Sequence, residues 1–283
     1  RPRRVERAAA ALAALSARAL EAYRPLLDQA GATTHMRSEG WLKVYRTEAA
    51  FDASQTERDL MTRHDFGIDV LDADEVRQLE PALAPIFRRG LLLRDSAFVP
   101  HPGGLVDALA ADLVRRGGRL RRETVTHIEV GDRGPRVVTD LGSHTVDATV
   151  LCAGAWSRRL AAQLGVRVPL DTERGYHLML PQPEPTLRRP VLIADHHFVL
   201  APMTEGLRLT SAAELGGLEA PPDLTRPYRL LPLAQQAIPG LVPQVHSTWL
   251  GFRPSLPDSI PVIGAVPGVP GAYLAFGHGP LGL

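Results

Sequence analysis

Two short segments of the sequence combine residue types that could bind a small anionic molecule. Residues 251–254 read Gly-Phe-Arg-Pro, and the restrained backbone around Arg253 argues against a solvated charge on a helix surface. The planar guanidinium of an arginine is suited to a carboxylate. Residues 277–282 have three glycines in the spacing Gly-x-Gly-x-x-Gly, which suits backbone N–H groups facing an anionic or carbonyl-rich ligand. On spacing alone, a structural arginine beside a glycine turn explains both segments equally well.

A third segment, residues 149–157, joins an apolar run to an Ala-Gly-Ala-Trp-Ser turn. A ligand can approach the backbone closely there, because the turn opens with nothing larger than methyl groups. A strand-to-helix turn that needs small residues for packing explains the same pattern. The sequence of this segment leaves both interpretations open.

The common catalytic and metal-binding motifs are missing. The sequence has no Walker loop, no His-Glu-x-x-His, no Cys-x-x-Cys and no Gly-x-Ser-x-Gly. Among ten histidines only His196 and His197 are adjacent, and neighbours on a strand point to opposite faces. We therefore predict no metal site.

The composition is that of a globular protein and limits the classes of partner. Of 283 residues, 45% are apolar and 22% are charged, which excludes a disordered or fibrous chain. The 32 basic and 31 acidic residues give a net charge of +1, which argues against a nucleic-acid partner. No apolar run approaches the roughly 18 residues of a membrane span, so we expect a cytoplasmic protein. The single cysteine, Cys152, is expected to be a small buried apolar residue.

Helix and strand patterns surround the three segments. Apolar residues at three- and four-residue steps predict one helix from Arg3 to Ala30, and Asp72 and Glu75 could form a capping box. Further helices are predicted over residues 48–64, 105–117 and 226–237. Strands are predicted at residues 40–46, 90–93, 120–130, 136–139, 144–151, 176–180, 191–193, 197–201 and 207–211. A buried strand that runs into a turn and a helix is typical of an α/β nucleotide-binding domain, and residues 166–244 are mostly β.

Several of these motifs resemble the FAD-dependent D-amino acid oxidase superfamily. Its C-terminal signature is similar to residues 251–254, to Pro-Asp at 257–258, to Pro-Val-Ile-Gly at 261–264 and to Phe-Gly-His-Gly at 276–279. The turn at 153–157 resembles its second flavin-contacting segment. Residues 40–45, 173–177 and 202–208 resemble the D-amino acid dehydrogenase branch. The similarity runs over nearly the whole chain.

The resemblance implies a mixed α/β fold, in which an incomplete FAD-binding Rossmann-like domain is interleaved with a β-rich substrate domain. The predicted division is an N-terminal helix at 1–30, substrate domain at 31–101 and 166–244, and FAD-binding domain at 102–165 and 245–283. The family begins with a strand, a Gly-x-Gly-x-x-Gly turn and a helix, and it ends with a further helix. Neither feature is found in these 283 residues, so we expect a fragment that binds FAD weakly or not at all.

The resemblance also implies a reaction and a set of site residues. Hydride passes from the α carbon of a D-amino acid to N5 of non-covalently bound FAD, giving a 2-oxo acid and ammonia. Arg253 matches the residue that binds the substrate carboxylate. Polar candidates for the pocket are Tyr176, His177 and His197, each of which could equally be an ordinary sheet side chain. The residues that match cofactor-binding positions are Val125, Ala153, Gly154, Trp156, Gly277, His278, Gly279, Leu281 and Gly282.

Other functions remain open at this point. An oxidase of glycine, sarcosine or a similar amine would have the same fold and cofactor, and a non-catalytic chain that binds no flavin would explain the missing fingerprint. The electron acceptor is either oxygen or a quinone, and a quinone would allow peripheral contact with a membrane.

Overall fold

The computed structural model describes residues 2–131, 134–211 and 213–280. The fold is mixed α/β, as predicted. The α-helices of the described residues are α1 Pro2–Ser16, α2 Ala19–Ala30, α3 Glu48–Ala53, α4 Gln55–Arg63, α5 Ala73–Leu79, α6 Pro102–Arg115, α7 Ser157–Gln163, α8 Thr225–Tyr228 and α9 Leu231–Ala237. The strands are β1 Trp41–Tyr45, β2 Ile68–Leu71, β3 Arg89–Leu93, β4 Val125–Gly131, β5 Gly134–Thr139, β6 Ser143–Thr145, β7 Thr149–Leu151, β8 Asp171–Leu180, β9 Val191–Ile193, β10 Phe198–Met203, β11 Gly206–Thr210, β12 Ser247–Ser255, β13 Val262–Ala265 and β14 Ala272–Phe276. No helix in this part of the chain is both long and apolar enough to cross a membrane.

One large sheet and two small sheets organise the strands. The large sheet has eight strands in the order β12-β8-β11-β10-β9-β1-β3-β2. Most neighbours are antiparallel, and β1 and β9 are parallel. The small sheets are β13-β14-β7 and β4-β5-β6. In the first of them, β14 and β7 are parallel.

Several predicted elements have different bounds. The helix predicted from Arg3 to Ala30 is interrupted between α1 and α2, although its apolar stripe continues across the break. The single strand predicted at 144–151 is divided into β6 and β7, which lie in different sheets. Cys152, expected to be buried, is exposed at the end of β7. The predicted capping box is confirmed, since the Asp72 side chain accepts from the Asp74 and Glu75 backbone while Glu75 accepts from the Asp72 backbone.

Two hydrophobic clusters correspond to the two kinds of sheet. The larger lies under the eight-stranded sheet and includes Leu178, Leu200 and Leu207, all fully buried. The second joins β7, β14 and α7, and Val125 of β4 packs against it. Strand β12 belongs to the large sheet although residues 245–283 were assigned to the FAD-binding domain. The division into two interleaved domains stays a prediction.

A carboxylate beside the sheet β4-β5-β6 should make stability depend on pH. The Glu123 carboxylate accepts a hydrogen bond from Thr139 Oγ1 at 2.7 Å and lies 2.9 Å from His144 Nε2. The hydrogen bond with His144, followed by that from Thr139, lowers the pKa of Glu123 from 4.5 to about 2. The stability that this carboxylate contributes is therefore fully present above pH 4.5 and lost as the pH falls toward 2.

When the pH is lowered from 4.5 to 2, we expect the melting temperature of Glu123→Gln to decrease less than that of the unsubstituted protein. The reason is that the amide has no proton to take up. Circular dichroism melts across this window measure the difference. Parallel curves for the two proteins would show that Glu123 contributes nothing to the acid dependence.

Candidate functional site

The candidate site is built on the outer strand pair of the large sheet. Strands β8 and β12 pair antiparallel, and residues directly opposite each other project from the same face of the sheet. The pairs on this face are Trp249 with His177, Gly251 with Gly175, and Arg253 with Glu173. Because side chains alternate along a strand, Tyr176 projects from the other face.

Two opposed glycines make room for two flat groups on this face. A Cβ atom added at Gly175 would overlap the Arg253 guanidinium, and one added at Gly251 would overlap the six-membered ring of Trp249. The guanidinium and the indole therefore lie over the two members of one glycine pair. Any larger residue at either position would have to displace the group above it.

Arg253 offers a half-buried positive charge on this face of the sheet. Within the described residues it forms neither an ion pair nor a side-chain hydrogen bond, although Glu173 lies opposite. Burial lowers the pKa of the Arg253 guanidinium, and the charge of Glu173 acts in the opposite direction. An arginine stays protonated in a protein, so the charge remains available to a carboxylate.

His177, on the same face of the sheet, is a neutral ring. Its imidazole stacks on Trp249, with ring centroids 5.2 Å apart and planes at 25°. Burial, followed by the charge of Arg208, lowers the pKa of His177 to about 4. The imidazole is therefore uncharged at neutral pH and does not repel the ammonium group of an amino acid.

The structure does not bring Tyr176 and His197 to this face. The Tyr176 hydroxyl donates to Glu214 at 2.6 Å, and it accepts from the Asp223 backbone at 3.0 Å. These bonds attach the segment after β11 to the back of the sheet. His197, predicted to begin a strand, is exposed and follows a 3₁₀ turn with a positive φ of 52°.

The small-residue turn predicted to contact a flavin lies against β12. Gly154 has a φ of 55°, and its Cβ position is open to solvent, so the backbone is accessible. Trp156 is 59% exposed and packs edge-to-face against Phe252, the neighbour of Arg253, at 5.7 Å. This contact places the turn next to the outer strand pair.

The glycine segment at residues 277–279 lies at the end of β12. Gly277 and Gly279 have φ values of 86° and 58°, which other residues rarely adopt. The Gly279 N–H donates to Pro254 O at 2.8 Å, so the segment with His278 is attached directly after Arg253. The predicted contacts of Leu281 and Gly282 lie outside the described residues.

The residues around the turn fit part of an FAD molecule. A cavity of about 300 Å³ is lined by strands β4, β5 and β7, with Val125 and Ala153 among its walls. Its largely apolar lining suits a flat ring such as adenine. The Ser157 hydroxyl beside the turn is buried, and no described residue bonds it. Val125, Ala153, Gly154 and Trp156 would hold this part of the cofactor, and these assignments stay proposals.

Sequence reasoning missed three features of this site. The residue type of Trp249 carries no functional signal by itself, although alternation along Trp-Leu-Gly-Phe-Arg places it on the same face as Arg253. The pairing of Gly175 with Gly251 depends on the register of β8 and β12, which no local pattern reveals. Arg208 lies within the motif at residues 202–208, and its Nε atom is buried without a partner among the described residues, which the motif does not reveal.

Comparisons with known proteins give a consistent result. Residues 2–283 match the family model described as FAD dependent oxidoreductase. The D-amino-acid oxidase of Bradyrhizobium diazoefficiens is 34% identical over an alignment of 287 residues including gaps. The alignment covers 99% of this chain and 68% of that protein. The D-amino acid dehydrogenase of Rhizobium rhizogenes is 31% identical over 258 residues, which cover 89% of this chain and 62% of that protein. The chain thus spans about two thirds of the length of these relatives.

Solved structures share the fold at lower identity. Glycine oxidase from Geobacillus kaustophilus has a TM-score of 0.83 at 24% identity, with 95% of this chain and 74% of that chain covered. The L-alpha-glycerophosphate oxidase of Mycoplasma pneumoniae, solved with FAD bound, has a TM-score of 0.75 at 18% identity. The match covers 87% of this chain and 69% of that chain. These similarities establish the fold of the chain.

Proposed function

Because this chain belongs to the FAD-dependent oxidoreductase family, we propose that the protein oxidises a D-amino acid to a 2-oxo acid and ammonia. The observation that carries the proposal is the half-buried guanidinium of Arg253 over Gly175, which has neither an ion pair nor a side-chain hydrogen bond within the described residues. A substrate carboxylate is the partner that this group lacks. The 34% and 31% identities to proteins named for D-amino acids support the substrate class.

The proposed roles of the residues follow from their positions. Arg253 binds the carboxylate in a two-pronged arrangement and so fixes the α carbon relative to the sheet. His177, neutral at pH 7, adds no positive charge that would repel the substrate amine. When bound, FAD supplies the two-electron oxidant for the carbon–hydrogen bond. Water then hydrolyses the imino acid that is released.

The alternative of a glycine or sarcosine oxidase has weaker support. The glycine oxidase from Geobacillus kaustophilus resembles this chain at 24% identity, which shows a common fold, whereas the two relatives at 34% and 31% identity are named for D-amino acids. The electron acceptor, oxygen or a quinone, stays open within the proposal. A cytoplasmic location and peripheral contact with a membrane remain predictions.

The proposal is tested by first measuring how much FAD the protein retains, and then assaying the FAD-loaded protein with the D and L enantiomers of several amino acids and with glycine. We expect 2-oxo acid and ammonia in equal amounts from the D enantiomers alone. Hydrogen peroxide would identify oxygen as the acceptor, and turnover that requires an added quinone would identify a dehydrogenase. Turnover of glycine without turnover of any D-amino acid would favour the alternative, and no turnover by a flavin-loaded protein would contradict both.

A further inference from the structure

Trp249 is a large apolar side chain that is left uncovered beside the candidate carboxylate site. It is 58% exposed on the outermost strand of the large sheet. Exposing an indole to water forgoes the free energy that its burial would give, since aromatic side chains dominate the energetics of cores and interfaces. A ligand that covers the ring would recover part of that free energy.

The position of the indole relative to Arg253 is set by the glycine pair. The six-membered ring lies over Gly251 and the guanidinium lies over Gly175, and the two glycines are directly opposite each other. Directly opposed residues of antiparallel strands have Cα atoms about 4.5–5.5 Å apart. A molecule whose carboxylate binds Arg253 therefore has its next carbon atoms within reach of the indole.

The neighbouring ring extends the same surface. His177 stacks on Trp249 in a near-parallel arrangement, and its imidazole is half-buried. The stack fixes the orientation of the indole, because the ring has His177 on one side and the Gly251 backbone beneath it. Two stacked rings thus lie next to the Arg253 guanidinium, which has no partner within the described residues, and the charge of Arg208 acts on the His177 ring.

From this juxtaposition we infer that the Trp249–His177 stack receives the side chain of the substrate and gives the enzyme a preference for D-amino acids with large apolar or aromatic side chains. The inference rests on the proposed function, in which Arg253 binds the substrate carboxylate. Trp249 and His177 then contact the side chain of the substrate rather than its reacting atoms. Glycine and D-alanine leave the indole largely uncovered.

The kinetic test compares D-phenylalanine with D-alanine in the FAD-loaded protein and in Trp249→Ala. We expect kcat/KM for D-phenylalanine to fall about tenfold and that for D-alanine less than about threefold, since ring contacts are lost for the first substrate alone. Trp249→Phe should restore most of the activity on D-phenylalanine. Tyr228→Ala, which removes a 43% exposed aromatic side chain from α8, is the matched control and should change neither value.

A binding measurement keeps the inference separate from the proposed function. Calorimetry with 3-phenylpropanoate and propanoate compares a carboxylate with and without a ring, and neither has an amine to oxidise. The ring should strengthen binding to the unsubstituted protein about tenfold and should add little in Trp249→Ala. If no D-amino acid is oxidised but this difference is found, the proposed function fails and the binding surface stands.

Three results would overturn the inference. The first is an equal loss of activity on both substrates in Trp249→Ala with unchanged flavin content and melting temperature. The second is equal binding of the two carboxylates by the unsubstituted protein. The third is a preference for D-glutamate that depends on Arg208, which would assign the side-chain contact to that guanidinium instead.

Discussion

Arg253→Ala is expected to lower kcat/KM on a D-amino acid by about 10²- to 10⁴-fold, while flavin content and melting temperature stay near those of the unsubstituted protein. Two charge-assisted hydrogen bonds to the carboxylate contribute about 1.5–3 kcal/mol each, which corresponds to this range. Arg253→Lys keeps the charge but loses the two-pronged geometry, so turnover should fall even where binding survives. Steady-state kinetics together with melting curves measure both effects.

Gly175→Ala tests the same group by another route. The added methyl group overlaps only the end of a flexible side chain, so it should displace the Arg253 guanidinium without unfolding the sheet. We expect a fall in kcat/KM of about tenfold or more. Arg77→Ala removes an exposed arginine from α5 and is the control for the loss of an arginine side chain away from the site.

A lowered melting point with unchanged kinetics in Arg253→Ala would show that Arg253 is a structural residue and would remove it from the site.

Arg189→Met should be the most destabilising of the single substitutions considered, because it leaves a buried carboxylate without its cation. Glu80 is fully buried; its Oε1 accepts from Arg189 Nε at 2.7 Å, and its Oε2 accepts from the Arg188 backbone at 3.1 Å. Burial raises the pKa of Glu80, and the hydrogen bond from Arg189 opposes that shift. Loss of one partner of such a pair costs about 3–5 kcal/mol of unfolding free energy, or roughly 10 °C in melting temperature.

Two further variants identify the cause of that loss. Arg63→Met breaks an exposed pair with Glu6 and should cost less than about 1 kcal/mol. The double variant Glu80→Gln with Arg189→Met removes the buried charge and should recover part of the stability. Equal losses for Arg189→Met and Arg63→Met in denaturant titrations would contradict a dominant role of the buried carboxylate.

The parts of the site that could be predicted are those that depend on local sequence. The fixed position of Arg253 between Gly-Phe and Pro can be read from the sequence, although its role stays a proposal, and the positive φ at Gly277 and Gly279 agrees with the glycine spacing. The capping box at Asp72 is likewise local, since its partner Glu75 is within one helical turn. In each case the residues that decide the conformation are close in the chain.

The parts that could not be predicted depend on strand register or on distant contacts. Gly175 and Gly251 matter only as a pair, and their alignment follows from the way β8 and β12 meet at the edge of the large sheet. Residue type alone makes Tyr176 a candidate for the pocket, yet its hydroxyl donates to Glu214, which is distant in sequence. The break between α1 and α2 leaves the apolar spacing intact, so periodicity could not reveal it.

The most direct test of the account is the anaerobic reduction of the bound flavin by the two enantiomers of one amino acid. Mixing the FAD-loaded protein with D-phenylalanine in the absence of oxygen and quinone should bleach the visible flavin absorbance with release of one 2-oxo acid per flavin. L-phenylalanine should leave the absorbance unchanged, and Arg253→Ala should slow the bleaching by D-phenylalanine at least 100-fold. Equal bleaching by both enantiomers, or none by any D-amino acid in a protein that retains its flavin, would contradict the proposed D-amino acid oxidation.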